Sequence, residues 1–390
     1  MNVLIAPSGY KESLDAGEVA AAIAKGVERA CPTAQVVCLP LVDGGEGTSQ
    51  AMARVTGGSM HPAEVTGPIG APIQSSFAML GGKDEGTAVV ELAAAAGLKM
   101  VPRDRRDPTR TTTRGVGELM LAALERGARR IVVGCGDSGV NDGGAGLAQA
   151  LGARLVGKDG SDLPPGGLAL AQLEHIDLRG LDPRLADVEI DVACNMENVL
   201  TGPGGVARVF GPQKGASPVD VERLSDALDH FASVIERELG LDVRLMPGGG
   251  ASGGAGAGLH ALLGARLRSR FDVLLPYFRL EEHLPRADLV ITAEGGIDFK
   301  TARGKIPAEV GDRAKAHGVP VIVLAGTIGE RAEDVLEHGV DAYFSTVSCP
   351  ETLEEAMGNA ADELALAAEN VMKTFLAGAA AAGRIAEANA

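Results

Sequence analysis

Five stretches of this chain share one design: an apolar run breaks into a short loop of glycine, carboxylate or amide, and the loop opens a helix-like segment. They are "SGYKES" (8–13), "DGGEGT" (43–48), "GCGDSGVNDGG" (134–144), "ACNMEN" (193–198) and "AEGGID" (293–298). Repeated strand-loop-helix units build a parallel sheet under helices, and in open sheets of that kind the loops gather at the carboxyl edge, where ligands bind. Residues 134–146 hold six glycines and two aspartates between "IVV" and "LAQAL". Glycine weakens any regular element, so that density marks close approach to bare backbone.

The same rhythm divides the chain. "NVLIAP" reads as a buried strand and "LDAGEVAAAIAKGVERAC" as a helix, with Val19, Ile23 and Val27 four apart and Asp15 three before Glu18 in an N-cap pattern. "AQVVCLPLV", "DGGEGT" and "SQAMARVTGG" repeat strand, loop and helix. From about residue 62 the pattern changes: "HPAEVTGPIGAPIQSSFAML" and "GTAVVELA" read as strands of antiparallel character joined by Pro/Gly turns. From about residue 286 the βα rhythm returns in "ADLVITAEGG", "VPVIVLAGT" and "VDAYFST", ahead of a long Ala-rich helix. Strands near 2–6, 35–40, 288–293, 319–325 and 341–346 make one parallel sheet from the two ends of the chain. The expected class is α/β: a flavodoxin-like parallel-sheet domain from residues 1–61 and 285–390, an inserted mixed α/β domain over 62–284, and the active site in the cleft between them.

Bulk properties narrow the function. A net charge of −16 with no Lys/Arg run longer than two residues argues against nucleic acid and anionic membranes. No apolar stretch approaches a membrane span, and "MNVLIAPSGYKESL" lacks a basic, cleavable leader, so a cytoplasmic protein is expected. The five cysteines show no CxxC pair and read as buried reduced thiols. The seven histidines form no metal-ligand spacing, and His260 beside Leu259 and Leu263 reads as a packed residue. HExxH is missing.

The loops suit phosphate and a divalent cation. "PGGGASGGAGAG" (247–258) precedes an Ala/Leu helix and offers successive backbone N–H groups to phosphate. Carboxylates beside glycine at several strand ends suit Mg²⁺, which takes few protein carboxylates and keeps water and phosphate oxygens. Lys11, Arg110, Arg114, Lys214 and Lys305 would complement the phosphates, each lying in or next to a glycine- or threonine-rich loop. Lys214 is the least suited to a plain surface role, because Phe210, Pro212 and Gln213 surround it.

Together, "APSGYKESL", "VDGGEGT", "TTTRGVGEL", "NDGGAGLAQALG", "LTGPGGVARVFGPQKGA", "GGGASGGAGAGL" and "ADLVITAEGGID…RGK" resemble the glycerate 2-kinase family, the bacterial type without a P-loop, in the same order over nearly the whole chain. The resemblance implies an ATP- and Mg²⁺-dependent kinase that phosphorylates the 2-hydroxyl of D-glycerate, on a flavodoxin-like domain with an inserted second domain. The chain departs from the family wording at four places. Ser8 stands for an Asp, Asn195 for an Asp and Gly296 for an Arg, while Asp137 is added in "GDSGVNDGG".

In the mechanism that this resemblance suggests, Gly249, Gly250, Ser252, Gly253 and Gly254 cradle ATP phosphates, and Asp43, Glu46 and Asp137 hold Mg²⁺. Lys11, Lys214 and Lys305 face the glycerate carboxylate and the moving phosphoryl group, with Ser8, Asn195, Asn198 and Arg114 around the substrate. Asp142 or Asp298 takes the proton of the acceptor hydroxyl. A related sugar-acid kinase, helped by room at Gly296, and a non-catalytic ligand-binding homologue stay open. So does an NAD-dependent oxidoreductase built on "GCGDSG", which needs a second parallel strand where "LVGKDGSDLPPGG" stands. Oligomeric state is left open.

Overall fold

The structure, a computed structural model, describes residues 1–10 and 13–388. The chain opens with β1 (Asn2–Ile5), α1 (Ala16–Ala30), β2 (Gln35–Cys38) and α2 (Thr48–Thr56). It continues with β3 (Ser59–Thr66), β4 (Pro72–Met79), β5 (Thr87–Glu91), α3 (Ala93–Ala96), α4 (Arg114–Glu125), β6 (Arg130–Gly134) and α5 (Ala145–Ala150). Next come β7 (Arg154–Gly157), β8 (Leu173–Asp177), β9 (Glu189–Cys194), α6 (Val206–Phe210), α7 (Pro218–Leu239), α8 (Ala251–Leu263), β10 (Arg266–Ser269) and α9 (Arg270–Phe278). Last are α10 (Leu280–His283), β11 (Leu289–Ile297), α11 (Ile306–Lys315), β12 (Val321–Ile328), β13 (Ala342–Ser345) and α12 (Leu353–Ala388). Among the described residues, no helix is long and apolar enough to cross a membrane.

Two compact units divide the chain: Met1–Asp43 with Phe278–Ala390, and Gly44–Tyr277. The first is a five-stranded parallel sheet in the order β13-β12-β11-β1-β2, with Val3 paired to both Leu289 and Val36. Counted within the unit this is 2-1-3-4-5, the flavodoxin-like order. Its core joins Val3, Ile5 and Ile291 of the sheet to Ile23 and Val27 of α1 and to Leu364 and Met372 of α12. The packing of α1 on α12 is close because Gly26 lacks a side chain: a Cβ there would lie 2.2 Å from the Ala365 carbonyl oxygen. The Asp15–Glu18 cap forms as its spacing predicts, each side chain accepting from the other's backbone N–H at 2.8 Å.

The second unit carries a six-stranded mixed sheet, β10-β9-β6-β5-β4-β3, in which β5, β6, β9 and β10 run parallel and β3–β4–β5 meander antiparallel. One core packs Val90, Ile131, Val133 and Val192 against Leu119 and Met120 of α4. A second packs α7, through Leu228, Phe231 and Ile235, with Leu155 of β7, Ile176 of β8 and Leu262 of α8.

The boundary lies earlier than periodicity suggests. Helix α2 belongs with Gly44–Tyr277, where it packs on β3, β4 and β5, and not with the opening βα unit. The oxidoreductase reading loses its second parallel strand, because β7 pairs antiparallel with β8 in a separate two-stranded ribbon. The thiols are all free among the described residues, but only Cys135 and Cys194 are buried. Cys38, on the edge strand β2, and Cys349 are exposed.

Candidate active site

In the five-stranded unit the strand order reverses between β1 and β11, which opens a crevice at their carboxyl ends. Ser8 closes β1 there, with its amide and its hydroxyl both donating to the Ala293 carbonyl at 2.9 Å. Across the same edge Glu294 receives Lys305 Nζ at 2.7 Å and the Thr301 hydroxyl at 3.4 Å. The Asp298 carboxylate accepts from Lys300 N at 2.8 Å, and its own amide donates to Thr301 Oγ1. Tyr10 is buried with its hydroxyl donating to the Leu324 carbonyl at 3.2 Å, and burial pushes its pKa well up. Lys11 lies outside the described residues. Asp43, half-buried, ends the first segment of this unit.

Gly296 is partly buried, and a Cβ at this position would meet the Thr327 hydroxyl oxygen at 2.6 Å, so a side chain here would require that hydroxyl to turn aside.

In the six-stranded unit, β5, β6 and β9 end side by side at Glu91, Gly134 and Cys194. Glycine lets the loops above them stack backbone on backbone. A Cβ on Gly134 would sit 2.7 Å from the Gly44 carbonyl, and one on Gly136 would sit 2.6 Å from Gly45 Cα. Glu91, 5% exposed, grips the same acidic loop by accepting from Ser49 N at 2.5 Å, Ser49 Oγ at 2.7 Å and Gly47 N at 3.3 Å. Burial raises the pKa of Glu91 against those hydrogen bonds. Glu46 donates its amide to Asp137 Oδ2 at 3.3 Å, and its carboxylate pairs with Lys99 Nζ at 2.5 Å. Among the described residues no group of three or more His, Cys, Asp or Glu gathers to hold a metal.

The glycine run before α8 also packs inward. The amides of Gly249, Gly250 and Gly254 donate to Met246, Asn198 and Gly250 carbonyls at 2.9, 3.0 and 3.2 Å. Cβ atoms on Gly250 and Gly253 would collide with Val199 O at 2.1 Å and Val140 O at 2.0 Å. Three consecutive residues, Ser252, Gly253 and Gly254, have left-handed backbone with φ of 51°, 73° and 90°. Asn195 caps its own turn by accepting from Glu197 N at 3.0 Å, and Asn198 N bonds back to the Asn195 carbonyl.

Asp142 is 1% exposed and held by four donors: Thr113 N at 2.8 Å, Thr113 Oγ1 at 3.0 Å, Gly144 N at 3.2 Å and Gly146 N at 3.3 Å. Burial raises its pKa despite them. Lys214 is 3% exposed, and its ammonium donates to Val140 O at 2.7 Å and to Ser138 Oγ and Asn141 Oδ1 at 3.3 Å. Three acceptors occupy the three hydrogens of an ammonium. Burial pulls the Lys214 pKa down to about 7, against the attraction of Asp142. Lys214 and Asp142 thus have the surroundings of residues that hold loops in place, where the sequence suggested groups facing the substrate. Arg114 is half-exposed and pairs with Glu118 at 3.1 Å, while Arg110 is exposed. His260 is partly buried and bonded to the Ala265 carbonyl.

Sequence reasoning missed Glu91, Lys99, Glu294 and Asn141. A carboxylate closing the buried run "TAVVE" was the available signal for Glu91.

Residues 3–376 match the family model described as the glycerate kinase family. The chain is 47% identical over 383 residues to glycerate 2-kinase of Escherichia coli (strain K12), covering 98% of this chain and 100% of that one. It is 47% identical over 371 residues to glycerate kinase of Bacillus subtilis (strain 168), covering 95% and 97%. A crystal structure provisionally described as glycerate kinase 2 from Salmonella typhimurium LT2 matches with a TM-score of 0.80 at 46% identity, covering 97% of this chain and 99% of that chain.

Proposed function

Because the chain belongs to the glycerate kinase family, we propose that it transfers the γ-phosphoryl group of ATP to the 2-hydroxyl of D-glycerate, giving 2-phosphoglycerate and ADP. The observation that carries this reading is the full-length match to the E. coli protein named glycerate 2-kinase. We assign the work to the cytoplasm, whose reducing conditions suit five free thiols.

MgATP enters as the second substrate and supplies the phosphoryl group, with the metal offsetting phosphate charge. The chain's own residues supply position and charge. In the six-stranded unit, the left-handed turn at Ser252–Gly254 forms a nest, and among the described residues the Ser252 and Gly253 amides have no hydrogen-bond acceptor, which suits them to phosphate. Glu46 and Asp137 are offered to the incoming metal. In the five-stranded unit, Lys305 and Ser8 are offered to the glycerate carboxylate, and Asp298 to the acceptor hydroxyl as base. Asp142 and Lys214 keep the Thr113 and Ser138–Asn141 segments in register.

The test is incubation of the full protein with ATP, Mg²⁺ and D-glycerate, following ADP release and identifying the product by phosphorus NMR. Formation of 2-phosphoglycerate supports the proposal. Absence of ADP with D-glycerate, alongside turnover of a larger sugar acid, overturns the substrate assignment.

A further inference from the structure

Asn141 is fully buried, and its side-chain nitrogen Nδ2 has no hydrogen-bond partner among the described residues. Fewer than about one in ten buried polar groups is left in that state, and each calls for a partner. Lys214 decides which end of the amide is which. An ammonium carries donors only, so the atom facing it at 3.3 Å is the amide oxygen, and the NH₂ group is turned away.

The backbone is as fixed as the side chain. A Cβ on Gly253 would lie 2.8 Å from Asn141 Cα, and one on Gly167 would lie 2.6 Å from the Asn141 carbonyl oxygen, so two glycines clamp the residue. The next residue, Asp142, is locked by its four donors. A buried ammonium bonded to the amide oxygen also polarises the NH₂ and strengthens it as a donor.

We propose that Asn141 Nδ2 is a substrate-binding donor that gives its hydrogen to an anionic oxygen, carboxylate or phosphate, with Lys214 as the positioning residue that orients it. The chemistry of the site is that of an anion. Only the choice of natural anion, D-glycerate carboxylate or nucleotide phosphate, rests on the kinase reading.

Isothermal titration of the full chain with D-glycerate, MgADP and inorganic phosphate tests this, in wild type, Asn141→Asp and Asn141→Ala. Asn141→Asp keeps an oxygen for Lys214 and replaces the donor by an acceptor. The expected result is that wild type binds at least one of the three anions, that Asn141→Asp weakens it by about 100-fold, and that Asn141→Ala weakens it by about 10-fold. Melting curves show which variants fold; if Asn141→Asp does not, the decision passes to Asn141→Ala. The anion whose affinity falls identifies the ligand oxygen. Binding within twofold of wild type in the folded variants, or no binding of any of the three anions by wild type, overturns the proposal. Anion binding that depends on Asn141, with no ADP formed from D-glycerate, removes the kinase reading and leaves this one standing.

Discussion

A carboxylate that accepts four hydrogen bonds out of reach of water is held rather than offered. Asp142→Asn must turn an NH₂ toward at least one of those donors, so it is expected to destabilise the fold by about 1–3 kcal/mol as well as to slow turnover, read by urea denaturation and initial rates. Unchanged stability with turnover abolished would instead make Asp142 the base. Lys214 gives two opposite pH slopes. Its folded pKa of about 7 lies below the ordinary lysine value near 10, so between these the unfolded chain holds a proton that the native protein has released. Its contribution to stability therefore rises with pH through that window. Function moves the other way, because a neutral amine has two hydrogens for three acceptors. kcat/KM should fall as pH rises through about 7, and Lys214→Met should flatten both slopes. Wild-type rates level from about pH 6 to 9 would contradict this. At this scale the sequence was half legible. Phe210 and Pro212 betrayed the burial of Lys214, whereas nothing in the local pattern marks Asn141, whose meaning comes only from the ammonium beside it.

Among elements, glycine does most of its work on other backbone. Gly253 combines a φ of +73° with a collision at 2.0 Å for any Cβ, while Gly264 has a φ of +68° and open space around it. Gly264→Ala should cost about 1 kcal/mol, the price of left-handed backbone alone, and Gly253→Ala several times more, both read from denaturation midpoints. Equal losses would mean that the 140–144 loop yields easily. Strand and helix rhythm was readable because buried parallel strands are continuous apolar runs and α1 keeps its four-residue spacing with a complete cap. The allegiance of α2 was not, since "SQAMARVTGG" looks the same whichever sheet it packs on, and its contacts with β4 and β5 are made by residues far along the chain. The glycine clusters were visible but ambiguous: one composition serves both a phosphate and a neighbouring loop.

At the scale of the molecule, the two units differ in how the chain supplies them. Gly44–Tyr277 is one continuous stretch with two buried cores of its own, so expressed alone it should melt cooperatively by circular dichroism. The fragment 278–390 should not, because it lacks β1, the strand between β11 and β2, and leaves an unpaired edge where β1 belongs. A cooperative melt of that fragment would show that β11, β12 and β13 suffice. The split also sets a timetable for synthesis. β1, α1 and β2 leave the ribosome first, yet their partner strand β11 emerges only after all of Gly44–Tyr277 has been made. At bacterial or eukaryotic elongation rates that delay is on the order of tens of seconds. Throughout it, β1 and α1 lack the β11 and α12 surfaces on which their buried side chains close, so this unit's core forms only after the insertion has been made.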